Sequence, residues 1–217
     1  MKAPRFDADA FLRQFWAMDA ALVAAGFPAT SPWWRAEIER FVRALPSGRV
    51  RRWVIRAGRR AGKSTTLCRL AIGWAWFGEW HVPPGDTPIV PFLSVNKDES
   101  AARIRTLAAI CKALGLDHDV RGDELQLAER GVLFRTIAAT TTATVGFTSI
   151  AVFGDEVARW ESRDTAANPA REVIGSLAPT TATQTFGAMI LCSSPWSNDD
   201  YHAELFDSGD SDHQCVS

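Results

Sequence analysis

The chain has 217 residues, which is enough for one domain with a substantial hydrophobic core. Hydrophobic residues make up 47% of it and charged residues 23%, as in ordinary globular proteins, and no apolar run has the length of a membrane span. The four cysteines are far apart, so the sequence predicts neither a zinc site nor a disulfide framework. This use of cysteine favours a reducing cytoplasm.

Positive charge is concentrated in the first third of the chain. Residues 1–70 carry 14 Lys and Arg side chains against 5 Asp and Glu, whereas residues 71–217 carry 10 against 20. A basic segment of this kind can bind the phosphates of a nucleotide or of a nucleic acid. The alternative is that the basic and acidic parts pair with each other in the fold.

Two amphipathic helices are predicted ahead of the first strand. Residues 6–26 have apolar side chains at helical spacing, and a second helix begins at Ser31-Pro32 and runs to about Leu45. The apolar faces predict that both helices pack over one edge of a sheet. A tryptophan of the second helix, Trp33 or Trp34, is an alternative candidate for stacking on a nucleotide base.

A glycine-bearing loop follows a short β-branched strand, residues 53–55, and precedes a mostly apolar helix, residues 67–77. Strand, turn and helix form the context of a phosphate-binding loop, because backbone N–H groups and the positive end of the helix dipole both face the turn. The predicted nucleotide-binding residues of this loop are Gly58, Arg59, Arg60, Ala61, Gly62, Lys63, Ser64 and Thr65.

Within this loop, Lys63 is expected to reach the β- and γ-phosphates and the Ser64 hydroxyl to bind Mg²⁺. The pattern G-x-x-x-x-G-K-[ST] is incomplete, because Ala57 stands at the position of the first glycine. The alternative is an ordinary basic turn that caps a helix.

Strands and helices alternate after the loop helix. The predicted segments are a strand at 88–95, a helix at 98–114, a hairpin of strands at 124–128 and 132–137, a strand at 150–153, a helix at 165–177 and a strand at 184–191. Asp98 is the expected N-cap of the helix at 98–114. Alternation of this kind indicates an α/β fold.

Two adjacent carboxylates, Asp155 and Glu156, follow the apolar strand at 150–153. Ligands of open α/β sheets bind at the carboxyl ends of the strands. Asp155 is therefore a candidate for holding Mg²⁺ through its water shell, and Glu156 for polarising a water that attacks the γ-phosphate. An acidic pair that caps a helix is the alternative.

A hydroxyl pair, Ser193-Ser194, stands before Pro195 at the end of the last long strand. These hydroxyls are candidates for sensing the γ-phosphate, and a simple turn is the alternative. The tail after residue 197 has six Asp and Glu residues and no Lys or Arg. Its last residues, 213–217, resemble the start of a strand with nothing to pair.

Taken in order, the loop Gly58–Ser64, the strand with Asp155-Glu156 and the segment Ser193-Ser194-Pro195 resemble the large terminase subunit of tailed bacteriophages. The resemblance covers about residues 30–206. An arginine within the loop, here Arg59, is typical of that family and accounts for the missing first glycine.

The resemblance implies an α/β P-loop NTPase fold of the ASCE/RecA-like type. A mostly parallel central sheet is flanked by helices, and the two N-terminal helices and the short hairpin are added to it. In that fold the Ser-Ser-Pro strand lies between the loop strand and the Asp-Glu strand. This arrangement would bring Ser193 and Ser194 beside the γ-phosphate, where they bind nucleotide and couple hydrolysis to movement.

The resemblance also implies the activity: a Mg²⁺-dependent ATPase that pumps double-stranded DNA into a procapsid. ATP and Mg²⁺ are the expected cofactors. By position in the motifs, the expected catalytic residues are Glu156 as base, Lys63 on the phosphates and Arg59, which either stabilises transition-state charge or couples to motion. Ser64 and Asp155 are the expected metal ligands.

The implied partners are double-stranded DNA, the portal protein and procapsid, and the small terminase subunit. A homo-oligomeric ring is expected during packaging, and a monomer in isolation is compatible with it. No membrane is implied, and the expected place is the cytoplasm of the host cell, with a virus or prophage as the source of the gene. An intersubunit arginine finger remains open among Arg103, Arg105, Arg159 and Arg163.

Residues 1–206 are expected to form the motor domain, and residues 207–217 an acidic linker toward a C-terminal nuclease domain that this chain has no room for. Nuclease activity is therefore not expected. The main alternative is a helicase-like or repair DNA translocase of the same fold. Two others are a small-molecule kinase and a protein that binds nucleotide for assembly without hydrolysing it.

Overall fold

The computed structural model describes residues 6–139, 147–160, 169–208 and 213–216. Eight strands of these residues form one sheet in the order β3-β4-β5-β2-β6-β7-β1-β8. They are β1 (Arg52–Arg56), β2 (Ile89–Ser94), β3 (His118–Arg121), β4 (Glu124–Leu127), β5 (Val132–Ala138), β6 (Ala151–Asp155), β7 (Ala188–Ser193) and β8 (His213–Val216).

The sheet is parallel from β5 to β8, and β4 is antiparallel to both of its neighbours. Helices cover both faces. They are α1 (Ala8–Ala24), α2 (Pro32–Ala44), α3 (Lys63–Phe77), α4 (Lys97–Leu114), α5 (Pro169–Leu177) and α6 (Tyr201–Ser208). The predicted α/β fold, with its two N-terminal helices and hairpin, is confirmed.

Each strand feeds two cores because successive side chains point to opposite faces of a sheet. In β1, Trp53 and Ile55 belong to the larger core against α1 to α4, whereas Val54 belongs to a second core against α5 and α6. All six residues of β2 and of β7 are buried, which fits central strands covered on both faces. Burial of this kind makes the carboxyl ends of the central strands a rigid base for a site.

Three local details differ from the sequence expectations. The N-cap of α4 is Asn96, whose side chain accepts a hydrogen bond from the Glu99 N–H at 3.0 Å, and not Asp98. The strand predicted at 184–191 is β7, which begins at Ala188 and not at Gln184, because the Gln184 amide exchanges hydrogen bonds with the main chain of His81. The short strand β3 was not predicted.

The segment that was expected to have nothing to pair is corrected by the structure. Residues 213–216 form β8, which pairs in parallel with β1 at the edge of the sheet. Residues 209–212 and 217 lie outside the described residues, so the proposed linker at 207–217 stays a prediction, as does the domain boundary at residue 206. None of the helices in the described ranges is long and apolar enough to cross a membrane.

Candidate nucleotide-binding site

Three neighbouring parallel strands bring the predicted motifs to one edge of the sheet. β7 lies between β1 and β6, so the Ser-Ser-Pro segment lies between the loop and the Asp-Glu pair, as the resemblance implied. The register pairs Arg56 with Ser193 and Asp155 with Cys192. The Ala57 N–H donates to the Ser193 carbonyl at 3.0 Å and ties the loop entrance to the end of β7.

The loop is built around two left-handed residues, Arg60 with φ of 62° and Gly62 with φ of 73°. Gly62 is the N-cap of α3 and offers no side chain to its first N–H groups, which leaves them for an anion. Ala57 has no positive φ, so its position does not need the glycine of the consensus pattern. Gly58, Arg59 and Arg60 are exposed, whereas Ala61, Ser64 and Thr65 are half-buried.

Trp34 of α2 braces this loop from the core side. Its indole is almost fully buried, and its Nε1–H donates to the Ala61 carbonyl at 2.6 Å. Trp34 is only 2% exposed but also lines a cavity next to the loop, so base stacking by this ring stays a prediction. Trp33 is half-buried and lines the mouth of a nearby cavity, so the same hypothesis for Trp33 stays a prediction.

Lys63 is the first residue of α3 and its side chain folds back over the loop. Its Nζ lies 3.0 Å from the Gly58 carbonyl, 3.4 Å from that of Ala57 and 2.7 Å from the Ser194 Oγ. The same ammonium lies 3.5 Å from the Glu156 Oε1, and the side chain is only 6% exposed. One buried cation therefore connects the three predicted motifs.

Asp155 ends β6 and is completely buried. The Arg103 Nε lies 2.9 Å from its Oδ2, yet neither carboxylate oxygen has a hydrogen-bond partner of normal geometry. Burial raises the pKa of this carboxyl above its usual value, and the neighbouring Arg103 guanidinium and Ser64 hydroxyl oppose that rise. A buried carboxylate whose hydrogen bonding is incomplete can accept a cation.

The donor set fits Mg²⁺ carried in with nucleotide phosphates. Mg²⁺ prefers oxygen ligands and is usually held by one or two protein groups together with phosphates and waters. Ser64 and the orphaned oxygens of Asp155 supply such groups. No cluster of three or more His, Cys, Asp or Glu side chains that could hold a metal is found in the described residues. These residues therefore fit a metal that the phosphates help to bind.

Glu156 follows Asp155 directly but points elsewhere. Its backbone is left-handed, with φ of 53° and ψ of 43°, a strained conformation for a residue with a side chain. Its Oε2 lies 3.4 Å from both the Ser193 Oγ and the Ser194 N, and 4.0 Å from the Arg159 Nε. The carboxylate is 20% exposed, so water can reach it.

The two serines connect the lysine to the glutamate. Ser193 is fully buried, and its Oγ lies 3.0 Å from the Ser194 carbonyl and 3.4 Å from the Glu156 Oε2. It accepts a hydrogen bond from the Ala158 N–H at 3.2 Å, while Ser194 contacts Lys63. A simple turn would not make these contacts. Whether they sense a phosphate stays a prediction.

The four candidates for an intersubunit arginine finger differ in their surroundings. Arg103 contacts the chain's own Asp155, and Arg159 stacks on the exposed ring of Trp196 with 4.8 Å to its centroid. Arg105 is exposed on α4, and Arg163 lies outside the described residues. The Arg103 contact was missed at the sequence level, since only its position on the helix after β2 hinted at it.

A cavity of about 470 Å³ adjoins the loop on the side of the α1–α2 connection. Its wall is fixed by Arg69 of α3, which is 2% exposed and whose Nη1 lies 2.7 Å from both the Asp19 Oδ1 and the Thr30 Oγ1. The cavity is lined by Pro28, Ala29, Thr30, Ser31, Trp33, Trp34, Arg60, Ala61, Gly62, Thr65, Thr66 and Arg69.

Neither a protein-family model nor a curated protein matches this sequence. Solved structures do match. The large terminase of bacteriophage HK97 superposes with a TM-score of 0.60 at 14% identity, over 82% of this chain and 37% of that one. A mutant of the ATPase domain of the Thermus phage P74-26 large terminase superposes with a TM-score of 0.53 at 15% identity, over 75% of this chain and 67% of that one.

The chain thus spans little more than a third of the HK97 protein and two thirds of the Thermus phage domain. At such low identity the likeness concerns the fold. The protein has the fold of large terminase ATPase domains, an open and mostly parallel P-loop sheet flanked by helices.

Proposed function

We propose that this protein is a Mg²⁺-dependent ATPase of the large terminase type, whose ATP hydrolysis drives double-stranded DNA into a procapsid. The observation that carries the proposal is the convergence of Lys63, Ser194 and Glu156 within 3.5 Å of one another beside a buried Asp155. The likeness to two terminase structures supports it.

In this proposal Lys63 leaves its carbonyl contacts and binds the β- and γ-phosphates. The N–H groups of the loop from Gly58 to Thr65 surround the phosphates, and Arg59, which is exposed on the loop, reaches the γ-phosphate from the solvent side. Ser64 and Asp155 hold Mg²⁺, which supplies neutralisation of phosphate charge. The cavity beside Trp33 receives the base.

Glu156 is the proposed base. Its carboxylate is partly exposed and is held by Ser193 and Ser194, so it can accept a hydrogen bond from a water and orient that water toward the γ-phosphate. Lys63 moving to the phosphates would break its contact with Glu156 and with Ser194. Loss of these two contacts would alter the surroundings of the end of β7. We propose that hydrolysis is coupled to movement in this way.

Double-stranded DNA, the portal and procapsid, the small terminase subunit and a ring of identical subunits are the proposed partners, in the cytoplasm of the host. The charge distribution supports a polyanionic partner. Ion pairs of the first third are mostly made within it, Arg40 with Glu37, Arg43 with Asp9 and Arg69 with Asp19 among them. Its acidic residues are thereby used locally, and a net positive charge remains.

The test is Glu156→Gln, which removes the base and keeps the shape. We expect the ATPase rate to fall by roughly two to four orders of magnitude, the usual contribution of a general base, while ATP affinity is kept. Hydrolysis is measured by phosphate release with DNA, portal and procapsid present. Glu129→Gln, in the exposed turn between β4 and β5, is the control and should retain the wild-type rate.

Absence of turnover by the wild-type protein under these conditions would contradict the proposal. Hydrolysis that depends on DNA but not on portal or procapsid would favour a helicase-like or repair translocase instead. No residue contact in the described part of the chain favours that second function.

A further inference from the structure

Buried polar atoms without hydrogen-bond partners collect beside the site, where β2 and β6 end. Strands β2 and β6 are paired, with Leu93 opposite Gly154, so Ser94 and Asp155 end neighbouring strands. The helix α4 begins just after Ser94 and contributes the others. These atoms are Ser94 Oγ, Glu99 Oε2, Ser100 Oγ, Arg103 Nε and both carboxylate oxygens of Asp155.

Such atoms are rare in native proteins, because a buried polar group without a partner costs free energy. Three of these atoms belong to one ion pair, Arg103 with Asp155, in which the Nε lies 2.9 Å from the Oδ2 without the alignment of a hydrogen bond. The Asp155 side chain is fully buried and that of Arg103 is 17% exposed. The two opposite charges lie close together, but their hydrogen bonding is incomplete. An ion pair of this kind can be exchanged for another contact.

A second acceptor for Arg103 lies one helical turn earlier. Glu99 and Arg103 are four residues apart on α4, the spacing at which side chains of a helix meet. The Glu99 Oε2 is buried and has no hydrogen-bond partner. Burial raises the pKa of this carboxyl, and the Arg103 charge opposes that rise. Glu99 is therefore a second carboxylate within about one helical turn of Arg103.

We propose that Arg103 is a positioning residue that holds the place of the metal: its guanidinium neutralises Asp155 until Mg²⁺ arrives with the nucleotide, and then pairs with Glu99. This inference rests on the function proposed above. A divalent cation and a guanidinium compete for one carboxylate. Glu99 supplies an alternative partner for the guanidinium, which lowers the free-energy cost of the exchange. Binding of the metal thereby changes the contacts of α4.

The experiment measures Mn²⁺ binding in the presence of saturating ADP, from the electron paramagnetic resonance signal of free Mn²⁺. A guanidinium beside a carboxylate changes its affinity for a proton by about one to three powers of ten. We therefore expect Arg103→Gln to bind Mn²⁺ roughly tenfold more tightly than the wild type, at the low end of that range. Lys112→Gln, an exposed cation on the same helix, should bind as the wild type does.

Glu99→Gln gives the opposite expectation and does not depend on the folding of the arginine variant. It keeps Arg103 but weakens its second acceptor, so Mn²⁺ should bind more weakly. Arg103→Gln should also lower the melting temperature without metal, and Mn²⁺ with ADP should restore more of it than in the wild type. A merely structural arginine would lower the melting temperature and leave Mn²⁺ affinity unchanged.

Equal or weaker Mn²⁺ binding by Arg103→Gln, or wild-type binding by Glu99→Gln, would overturn the inference. Failure of the wild-type protein to bind Mn²⁺ with ADP at all would instead overturn the function proposed above. The ratio between variant and wild type thus tests the exchange, and the wild-type value tests the site.

Discussion

Two adjacent carboxylates, Asp155 and Glu156, point in different directions because of the backbone conformation of the second. Asp155 ends a strand and points into the buried space beside Arg103 and Ser64. Glu156 is left-handed, which costs roughly 1–3 kcal/mol and directs its carboxylate toward Lys63 and the end of β7. Strain at this residue, rather than at a surface turn, supports the role proposed for it.

Trp34 is the residue through which the core determines the shape of the loop. Trp34→Phe keeps a ring in the core but removes the hydrogen bond to the Ala61 carbonyl. We expect the free energy of unfolding to fall by about 1 kcal/mol, the net worth of one hydrogen bond, measured by urea denaturation. We also expect ADP to bind several-fold more weakly in calorimetric titration, since a less restrained loop must be ordered on binding.

The matched control for this change is Trp16→Phe. The Trp16 Nε1 is buried without a hydrogen-bond partner, so its loss removes no hydrogen bond. ADP affinity should stay at the wild-type value. Equal loss of affinity in both variants would show that general destabilisation, and not the brace on the loop, is responsible.

The helix α6 carries a buried histidine, His202, beneath the end of the sheet. Burial lowers the pKa of His202 to about 4, whereas an unfolded histidine titrates near 6.5. Between these values the unfolded chain binds a proton that the folded chain does not, so stability is full above pH 6.5 and is lost as the pH falls toward 4. We expect this residue to cost about 2 kcal/mol of stability between pH 7 and pH 5.

The measurement is the free energy of unfolding by urea at both pH values, in the wild type and in His202→Gln. The wild type should lose about 2 kcal/mol more than the variant, because glutamine takes up no proton. His118→Gln on β3 is the control and should lose as much as the wild type. Parallel losses in wild type and His202→Gln would show that the ring is reached by water in the folded protein.

Elements that depend on local pattern were predictable, and those that depend on distant contacts were not. Helices α1 and α2, the loop after β1 and the Asp155-Glu156 strand end follow from periodicity and motif spacing, and the resemblance supplied the place of β7. The strand β8 has an acidic, polar lead-in and gains its partner only from β1. Arg103 and Trp34 reach partners about 50 and 27 residues away along the chain, which no local pattern encodes.

The sheet ends at β3 on one side and at β8 on the other. The hydrogen bonds of β1 are shared between β7 and β8, so β8 covers an otherwise unpaired edge of the strand that leads into the loop of the candidate site. An unpaired edge strand is a template for association with another chain. The strand β1 continues through Arg56 and Ala57 into the loop, so this edge of the sheet is connected directly to the site.

Ending the chain after Ser208 removes β8 and tests this connection. We expect the truncated protein to unfold at a lower temperature, to associate as the protein concentration rises and to bind ADP more weakly, because the exposed β1 has lost half of its ladder. Light scattering and calorimetry measure these three quantities. A chain in which residues 1–5 are removed instead retains all described strands and should behave as the wild type. A truncated protein that stays monomeric, with unchanged melting temperature and ADP affinity, would show that the motor domain ends before β8, as the boundary at residue 206 predicts.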